Sequence, residues 1–286
     1  MNIHIAALLT CHNRKDKTLA CLEALYSQEL PENVRISVYL VDDGCTDGTA
    51  DAVRGRFQKI NILQGDGSLY WNGGMRLAFN KAMGSNYNYY LWLNDDTLLY
   101  SNAVNNLLST SVALGSEFAC TAIICGSTID PQTHVQTYGG LVRASKWHPL
   151  KLRMVTPGKT PKRCITMHGN CVLIPEMVAK IVGNLSAEYR HNFGDNDYGL
   201  RAGRLGCSQW IAPGYVGTCV NDHFLRLEYK NISLRERWQK IIGPKGHPPR
   251  DWATYCKRYA GPLWFLFWCR PYIKAAIMML LPVCVY

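Results

Sequence analysis

The chain has 286 residues, 48% of them hydrophobic and 18% charged, which suits one large globular domain, alone or with a small appendage. Low-complexity segments and repeats are absent, which excludes a fibrous or disordered chain. The net charge of +10 is uneven: from position 201 onward 13 Lys and Arg stand against 4 Asp and Glu, whereas residues 1–200 hold 18 against 17. A basic end on a neutral body indicates an anionic partner, such as a membrane lipid, a phosphate-bearing substrate or a nucleic acid.

The twelve cysteines are scattered along the chain and form no CxxC pair. Met1 leads directly into the apolar run "IHIAALLT", so we expect no secretory signal. We therefore expect reduced thiols in a cytosolic protein, most of them small core residues. A zinc site is disfavoured by the spacing, and a disulfide framework by the size of the chain.

Apolar runs alternate with stretches of helical spacing through the first half of the chain. In chain order, the sequence predicts a strand at 3–10, a helix at 16–28, a strand at 34–44, a helix at 48–57, a strand at 60–67, a helix at 72–85, a strand at 87–97 and a helix at 101–114. This alternation predicts an open α/β sheet, in which ligands bind beyond the carboxyl ends of the strands. The polar motifs "TCHN", "DDG", "GDG" and "NDD" all fall at those ends.

The second half of the chain is less regular. It predicts a strand at 118–127, loops and short strands over 128–163, a strand leading into a helix at 167–183, an acidic loop followed by a short helix at 193–206, and strands at 207–220. From about Phe224 the character changes to basic and aromatic helix. We therefore predict a principal domain over residues 1–223 and a helical extension over residues 224–286.

The motif "LNDDT" places Asp95 and Asp96 at the end of an apolar run. Burying a carboxylate is costly unless it has a partner, and burying two side by side costs more. A divalent cation that prefers oxygen ligands, Mg²⁺ or Mn²⁺, would supply that partner and bridge the acids to a diphosphate. The alternative is that Asp96 or Thr97 caps the helix predicted at 101–114.

Two more motifs follow neighbouring strands. In "VDDGCTDGT", Asp42 or Asp43 is predicted to accept hydrogen bonds from a nucleotide base or ribose; the alternative is turn chemistry, with Asp47 or Thr46 capping the next helix. In "QGDGSLYWNGGMR", the glycines at positions 65, 67, 73 and 74 let the backbone approach a ligand closely, and Arg76 lies one turn into the next helix. The alternative for this second motif is simply two turns.

A later acidic motif, "FGDNDYGLR", offers a candidate base. Asp197 and Arg201 are four residues apart and are expected to form a helical salt bridge. Asp195 has no such partner, and a carboxylate in a loop suits a general base. Beyond it, His223 is either structural or a contact to metal or phosphate, and His168, beside a glycine, is a candidate for acceptor contact.

The C-terminal segment 261–286 is very apolar, but Arg270, Pro271, Lys274 and Pro282 interrupt it. It therefore lacks the ~20 uninterrupted apolar residues of a spanning helix. Two interpretations stay open: a helix packed on the domain or in a dimer interface, and an interfacial membrane helix assisted by nearby basic residues. Those basic residues are Arg226, Lys230, Arg235, Arg237, Lys240, Lys245, Arg250, Lys257 and Arg258.

Six motifs in a fixed order carry a family resemblance: "TCHNR", "VDDGCTDGT", "GDGSLYWNGGMRLA", "WLNDDT", "HGNCVLIP" and "GDNDYGLRAGRLG". Together they resemble the family 2 glycosyltransferases, which have the GT-A fold, a mostly parallel α/β sheet flanked by helices. The resemblance covers residues 3 to about 225. It is strongest to bacterial enzymes that build O-antigen of lipopolysaccharide, capsule or exopolysaccharide.

The resemblance implies an inverting transfer from a nucleotide-diphospho-sugar. In such enzymes the acids after the second strand bind the nucleotide, and a DxD-type motif binds the donor diphosphate through Mg²⁺ or Mn²⁺. Here Asn94 stands where the first acid often is, which leaves Asp96 as the direct metal ligand, with His223 where related enzymes place a metal-binding histidine. The family's Glu-Asp catalytic motif becomes Gly194 and Asp195, so Asp195 is expected to be the base.

The other residues of the matching motifs are assigned by the same resemblance. The donor-binding candidates are Thr10, His12, Asn13, Arg14, Asp42, Asp43, Asp66, Trp71, Asn72, Gly73, Gly74, Arg76, Asn94 and Asp95. The acceptor-binding candidates are His168, Gly169, Asn170 and Gly194.

The expected partners are a UDP- or dTDP-linked sugar donor, a glycan acceptor carried on a polyprenyl diphosphate, an anionic membrane surface and a second copy in a homodimer. The expected location is the cytoplasm, at the inner face of the cell membrane. A metal-dependent nucleotidyltransferase is a rival, but "TCHNRKDK" lacks the glycine-rich loop that such an enzyme uses. A non-catalytic GT-A-like binding protein stays open because of Asn94 and Gly194. A nucleic-acid binder is disfavoured because the run after Pro262 is too apolar.

Overall fold

The structure is a computed structural model that describes residues 2–118, 121–220 and 233–280. Its strands are β1 (Ile3–Cys11), β2 (Val34–Asp42), β3 (Ile60–Gln64), β4 (Tyr89–Leu93), β5 (Leu98–Leu99), β6 (Ala122–Cys125), β7 (Thr128–Ile129), β8 (Gln136–Tyr138), β9 (Gly140–Arg143), β10 (Leu152–Met154), β11 (Lys162–Cys164), β12 (Thr166–Met167), β13 (Cys171–Pro175), β14 (Ser208–Ile211) and β15 (Gly217–Thr218). Its helices are α1 (Lys15–Tyr26), α2 (Thr49–Arg56), α3 (Tyr70–Met83), α4 (Ala103–Phe118), α5 (Glu176–Val182), α6 (Gly194–Arg204), α7 (Leu234–Ile242), α8 (Pro249–Tyr259) and α9 (Trp264–Leu280).

The described residues form a large sheet with the strand order β11-β14-β6-β13-β4-β1-β2-β3. Strand β1 pairs in parallel with β2 and β4, and β2 pairs in parallel with β3. Strand β13 is antiparallel to both β4 and β6, and β11 is antiparallel to β14. The predicted fold class, a mostly parallel α/β sheet flanked by helices, is confirmed.

The core lies on both faces of this sheet. Along β1, Ile5 and Leu9 pack with α1 and α4 on one face, whereas Ala6 and Leu8 pack with α3 on the other. Successive side chains of a strand point to opposite faces, so a strand that is covered on both sides reads as an unbroken apolar run. This explains why "IHIAALLT" shows no polar alternation.

The extension after residue 232 packs on the sheet domain through α8. Trp252, Tyr255 and Tyr259 of α8 are buried in an aromatic cluster with Tyr189, and Phe193 packs against this cluster. Helix α9 packs in turn on α8. The predicted boundary at 223/224 lies outside the described residues. None of the helices in the described part of the chain combines the length and apolar character needed to cross a lipid bilayer.

Two local predictions differ from the structure. The acidic stretch at 193–206 is not a loop followed by a helix, because α6 already begins at Gly194 and takes Asp195 and Asp197 into its first turn. Helix α4 continues to Phe118, where a strand was expected to begin. The sheet strand of that region, β6, starts only at Ala122.

Candidate active site

The turn after β4 carries the two adjacent acids, and Arg14 lies against both. Thr97 N donates to Asn94 O over 3.1 Å and closes the turn. The Arg14 guanidinium donates from Nη1 to Asp95 Oδ1 at 2.9 Å and from Nη2 to Asp96 Oδ2 at 2.7 Å. Burial raises the pKa of Asp95 to about 6, although the charge of Arg14 opposes that shift. Arg14 therefore supplies positive charge where the sequence predicts a cation.

The donor atoms at this turn fit a small oxygen-seeking cation. The Asp96 side chain is 12% exposed and that of Asp95 is 6% exposed, so Asp96 is the more accessible of the two. The second oxygen of Asp96, Oδ1, accepts from the Cys219 thiol at 3.5 Å. Carboxylate oxygens are the ligands that Mg²⁺ and Mn²⁺ prefer. His223, the other predicted metal ligand, lies outside the described residues.

The alternative role of this motif as a helix cap is wrong. The first amide of α4, Ala103 N, donates to Tyr100 O, and Asp96 is engaged with Arg14 instead. In the other acidic motif, Asp47 has the organising role that turn chemistry predicts. Its carboxylate accepts from Thr49 N at 3.1 Å and from Lys15 N at 2.9 Å, so it links the starts of α1 and α2.

Asp42 and Asp43 are both buried at the end of β2. Asp43 organises the glycine loop, because its Oδ1 accepts from Gly67 N at 2.9 Å and its Oδ2 from Tyr70 N at 3.0 Å. Its main-chain oxygen lies 2.6 Å from His12 Nδ1, so the loops after β1 and β2 meet here. Asp42 Oδ1 accepts from Cys45 N at 2.8 Å. Both acids therefore organise loops, and a nucleotide contact by either of them stays a prediction.

Two thiols adjoin Asp42. The Sγ atoms of Cys11 and Cys45 are 3.8 Å apart, and both lie close enough to Asp42 to share an ion with it. Burial raises the pKa of the Cys45 thiol, which favours its protonated form. Asn13, in the same loop, accepts at Oδ1 from Thr46 N at 2.7 Å. The outer loop candidate, Asp66, is exposed and accepts from the amide and the hydroxyl of Ser68.

A chain of contacts links the acidic turn to Asp195. The Trp71 indole Nε1 donates to Asn94 Oδ1 at 2.7 Å. The edge of the Trp71 ring lies so close to Gly169 that an added Cβ would come within 2.3 Å of it. Gly169 N in turn donates to Asp195 Oδ2 at 2.9 Å. Only a glycine therefore fits between the indole and the candidate base.

The Asp195 carboxylate is half-buried and held from two sides. Besides Gly169, Asn196 donates to its Oδ1 from the main chain at 2.7 Å and from Nδ2 at 2.9 Å. Phe193, just before α6, has a φ of 73°, a left-handed conformation that non-glycine residues adopt at a cost. This turn places Asp195 at the amino end of a helix, where a negative charge is stabilised.

Several donor candidates have structural partners. Asn72 is fully buried and donates from Nδ2 to Ser186 O at 2.9 Å and to Tyr189 O at 2.6 Å. Arg76 Nε donates to Leu185 O at 2.8 Å. Both side chains bind the main chain of the segment before α6, so they stabilise the position of that helix. Gly74 and Thr10 pack α3 against β1, Gly73 lies against Leu69, and an added Cβ at Gly194 would meet Asn72 Oδ1 within 1.9 Å.

The acceptor candidates flank the same edge. His168 Nδ1 accepts from Gly139 N at 3.4 Å, and its ring lies edge-on to Tyr138 at 5.5 Å. Asn170 is buried, and its main-chain oxygen accepts from Asn94 N at 3.0 Å. This bond joins the turn between β12 and β13, which carries three of the acceptor candidates, to the acidic turn.

Asp197 lies at the centre of a cluster of which only one pair is visible in the sequence. The predicted pair of Asp197 with Arg201 is confirmed at 2.8 Å, but Asp197 Oδ1 also accepts from Arg258 at 2.8 Å and from Tyr259 OH at 2.7 Å. The Tyr189 hydroxyl donates to the same oxygen at 3.2 Å. Helix α8 is thus anchored on the helix that carries Asp195. No local signal reports this, since Arg258 is 61 residues from Asp197.

A mostly parallel α/β sheet with an acidic turn, a glycine loop and an oriented carboxylate at one edge defines a GT-A glycosyltransferase. The chain belongs to Glycosyl transferase family 2, which matches residues 7–182. No curated protein matches the sequence.

Solved structures share the fold at low identity. The mannosyltransferase PcManGT from Pyrobaculum calidifontis, in complex with GDP-Man and Mn²⁺, has a TM-score of 0.57 and 13% identity, and the match covers 90% of this chain and 65% of that one. TarS residues 1–349 from S. aureus, with UDP-GlcNAc, has a TM-score of 0.55 and 12% identity, over 89% of this chain and 71% of that one. GalNAc-T7, with UDP, GalNAc and Mn²⁺, has a TM-score of 0.60 and 13% identity, over 74% and 43%. This chain therefore spans less than two thirds of the first and third of these structures.

Proposed function

We propose that this glycosyltransferase moves a sugar from a UDP- or dTDP-linked donor to a hydroxyl of a glycan acceptor, with inversion at the anomeric carbon. The observation that carries the proposal is the run of contacts from Asp195 through Gly169 and Trp71 to Asn94. It connects a carboxylate to the acidic turn through one indole. A base and a diphosphate site held this way are what a single displacement requires.

Asp195 takes the proton from the acceptor hydroxyl in this mechanism. Its two oxygens accept from Gly169 and Asn196, which hold the carboxylate in one orientation. The acceptor oxygen then attacks the anomeric carbon from the face opposite the departing nucleotide. Arg14 and Asp96 lie at the diphosphate side, where Mg²⁺ or Mn²⁺, when bound, would offset the charge of the leaving group. Two of the three similar structures above carry Mn²⁺, which supports this assignment.

The physiological setting belongs to the same proposal. We infer that the acceptor is a bacterial surface glycan, of the O-antigen, capsule or exopolysaccharide type, carried on a polyprenyl diphosphate. A lipid-linked acceptor would require the enzyme to work at the inner face of the cell membrane, and the basic C-terminal extension supports that location. A homodimer remains a prediction that oligomeric-state measurements would test.

The first test is a thermal shift of the full chain with nucleotides and nucleotide-sugars, with and without Mn²⁺. Bound ligand raises the melting temperature by mass action. We expect a metal-dependent rise with UDP or dTDP compounds, lost in Asp96→Ala and kept in Asp51→Ala, whose side chain is 89% exposed. No rise with any nucleotide would contradict the proposal.

A second variant separates catalysis from binding. Asp195→Asn preserves the shape of the side chain and removes the base, so we expect an unchanged thermal shift and a turnover lower by about 10²–10⁴. Normal turnover in this variant would show that Asp195 is not the base. Binding without turnover in the unmodified chain, across acceptors, would favour a non-catalytic GT-A-like protein.

A further inference from the structure

The hairpin of β9 and β10 presents a tryptophan to solvent. Trp147, at its tip, is 93% exposed. The tip is ordered by hydrogen bonds: Ser145 Oγ accepts from Trp147 N at 3.1 Å and from His148 N at 3.2 Å, and Ala144 N donates to Lys151 O at 2.8 Å. A large aromatic side chain held out on an ordered turn is available to a partner if its neighbours extend the surface.

The hairpin is also basic. Residues 131–175 contain seven Lys and Arg and no Asp or Glu. The exposed cations on and beside the hairpin tip are Arg143, Lys146, Lys151 and Arg153. The partner that this surface fits is therefore anionic.

Helix α9 lies directly against the hairpin tip. The His148 ring packs edge-on against Phe267 at 4.9 Å, and Leu150 packs on the aromatic cluster of α8 and α9. Arg270 lies close enough to His148 to help burial lower the pKa of that imidazole. Two segments more than 100 residues apart in sequence thus share one surface.

The outward side of α9 is apolar. Trp264, Phe267 and Trp268 pack inward on α8. The exposed apolar side chains of α9 and of the residue just before it, each between 47% and 56% accessible, are Leu263, Phe265, Leu266, Ile273 and Ile277. On a helix, positions three or four apart share a side, so Arg270 neighbours Phe267 next to the hairpin. The apolar and basic residues of α9 are therefore continuous with those of the hairpin.

We propose that the hairpin tip and the outward side of α9 form one surface that docks on an anionic lipid bilayer, with Trp147 entering the headgroup region. Aromatic side chains favour that depth, and each nearby cation adds attraction to anionic lipid. The docking surface rests on the proposed function in one respect, since its purpose is access to a lipid-linked acceptor. Vesicle binding is measured without turnover, so the docking proposal and the proposed function can fail separately.

A bilayer fits this surface better than a second copy of the chain does. A symmetric dimer through the hairpin would bring the same cations of two protomers together, and like charges across an interface are costly. Anionic lipid instead neutralises them while the apolar side chains of α9 enter the interface. Charge complementarity therefore selects the membrane.

The test is sedimentation of the full chain with vesicles of phosphatidylcholine alone and of phosphatidylcholine mixed with phosphatidylglycerol. We expect binding to the anionic vesicles, weakened by salt. Lys146→Gln with Lys151→Gln should lower the partition coefficient by roughly thirtyfold. Trp147→Ala should lower it several-fold. The matched controls are Lys59→Gln with Lys81→Gln, two exposed lysines elsewhere, and Tyr26→Ala, a partly exposed aromatic residue on α1.

Each result decides the proposal. The proposal is supported if the hairpin variants lose vesicle binding while the control variants keep it. The melting temperature and the nucleotide-induced thermal shift of the hairpin variants must be unchanged. Equal binding of the unmodified chain to neutral and anionic vesicles would overturn it. So would unchanged binding of the hairpin variants, or a chain that binds no vesicle and instead self-associates through Trp147. If the chain binds vesicles but no nucleotide-sugar, the proposed function is contradicted and the docking surface is still supported.

Discussion

The Arg14 side chain partly neutralises the two acids of the acidic turn. Its guanidinium bridges Asp95 and Asp96, so two adjacent carboxylates, one of them almost fully buried, have a positively charged partner within the chain. The same arrangement sets a condition on metal binding. A divalent cation at Asp96 must share that carboxylate with Arg14 or displace it.

Replacement of Arg14 by Met should therefore destabilise the fold and increase the response to metal. Breaking a buried ion pair costs about 3–5 kcal/mol, and since the Arg14 side chain is 33% exposed we expect roughly 2 kcal/mol. Mn²⁺ should raise the melting temperature more in this variant than in the unmodified chain. Denaturant unfolding with and without Mn²⁺ measures both effects.

The control for Arg14 is Arg54→Met. Arg54 pairs with Asp51 at 2.9 Å, but both side chains are more than half exposed, so its loss should change stability by no more than about 0.5 kcal/mol. Equal costs in the two variants would mean that the Arg14 pairs contribute no more than a surface contact.

The sequence identified the acids of this turn but not their partner. Asp95 and Asp96 stand out because carboxylates interrupt an apolar run, which is a local signal. Their pairing with Arg14 spans 81 residues and appears only when β1 and β4 lie side by side. The same holds for Asn94, whose bond to Trp71 depends on how α3 packs.

Helix α6 carries the candidate base and is held by another helix. Asp197, two residues after Asp195, is completely buried and accepts hydrogen bonds from α8. The composition of "FGDNDYG" favours a loop, because Gly, Asp and Asn are poor helix formers. The tertiary partners of Asp197 override that preference, which explains why the helix begins earlier than the sequence predicts.

Arg258→Met should loosen α8 from α6. The buried Asp197 would keep Arg201 and its two tyrosines, so we expect a loss of about 2–3 kcal/mol rather than unfolding. Hydrogen exchange should increase in α8 and in α6. Arg250→Met, an exposed arginine in the first turn of α8, is the matched control. Protection in both helices that matches the unmodified chain would contradict this anchoring role.

His247 makes the folding stability depend on pH. Its ring packs between Phe193 and Trp252, and burial lowers its pKa below the usual 6.5. The unfolded chain therefore binds a proton more readily than the folded one, so stability falls as the pH drops below 6.5. In His247→Phe this decline should be smaller. Melting temperatures of both proteins at pH 7.5 and pH 5.5 give the comparison, and parallel declines would exclude the effect.

At the scale of the whole molecule, the alternating pattern of apolar runs and helices was enough to predict the sheet and the edge where the motifs meet. The placement of the C-terminal extension was not predictable, because "WATYCKRYAGPLWFLFW" is compatible with a packed helix, a dimer contact or a membrane helix. In the structure, α8 is packed on the domain, and α9 packs on α8 with one side outward. The segment after Gly261 is therefore packed on α8, and contact of its outward side with a membrane stays a prediction.

Two truncations should separate these parts. A chain that ends at Gly261 loses α9 and should stay folded with a lower melting temperature. A chain that ends at Val220 also loses α8, which removes Arg258 and Tyr259 from the buried Asp197 and exposes the rest of the aromatic cluster. It should therefore be insoluble or bind a hydrophobic dye. Expression, melting temperature and dye fluorescence test this. A stable, soluble short chain would show that α8 is dispensable.

The contact between α8 and the segment before α6 also limits how such enzymes can be recombined. Asp251 of α8 accepts from Arg190 N at 3.0 Å, and Arg190 O accepts from Asn72 N at 3.2 Å, beside the indole of Trp71. If the tail of a relative were joined at residue 224, the α8 of that relative would replace Asp251 in this chain of hydrogen bonds. A chimera joined after Tyr259 would keep these hydrogen bonds and exchange only the helix that faces outward. The natural junction for modular engineering is thus two helices later, after α7 and α8, than the change in composition indicates.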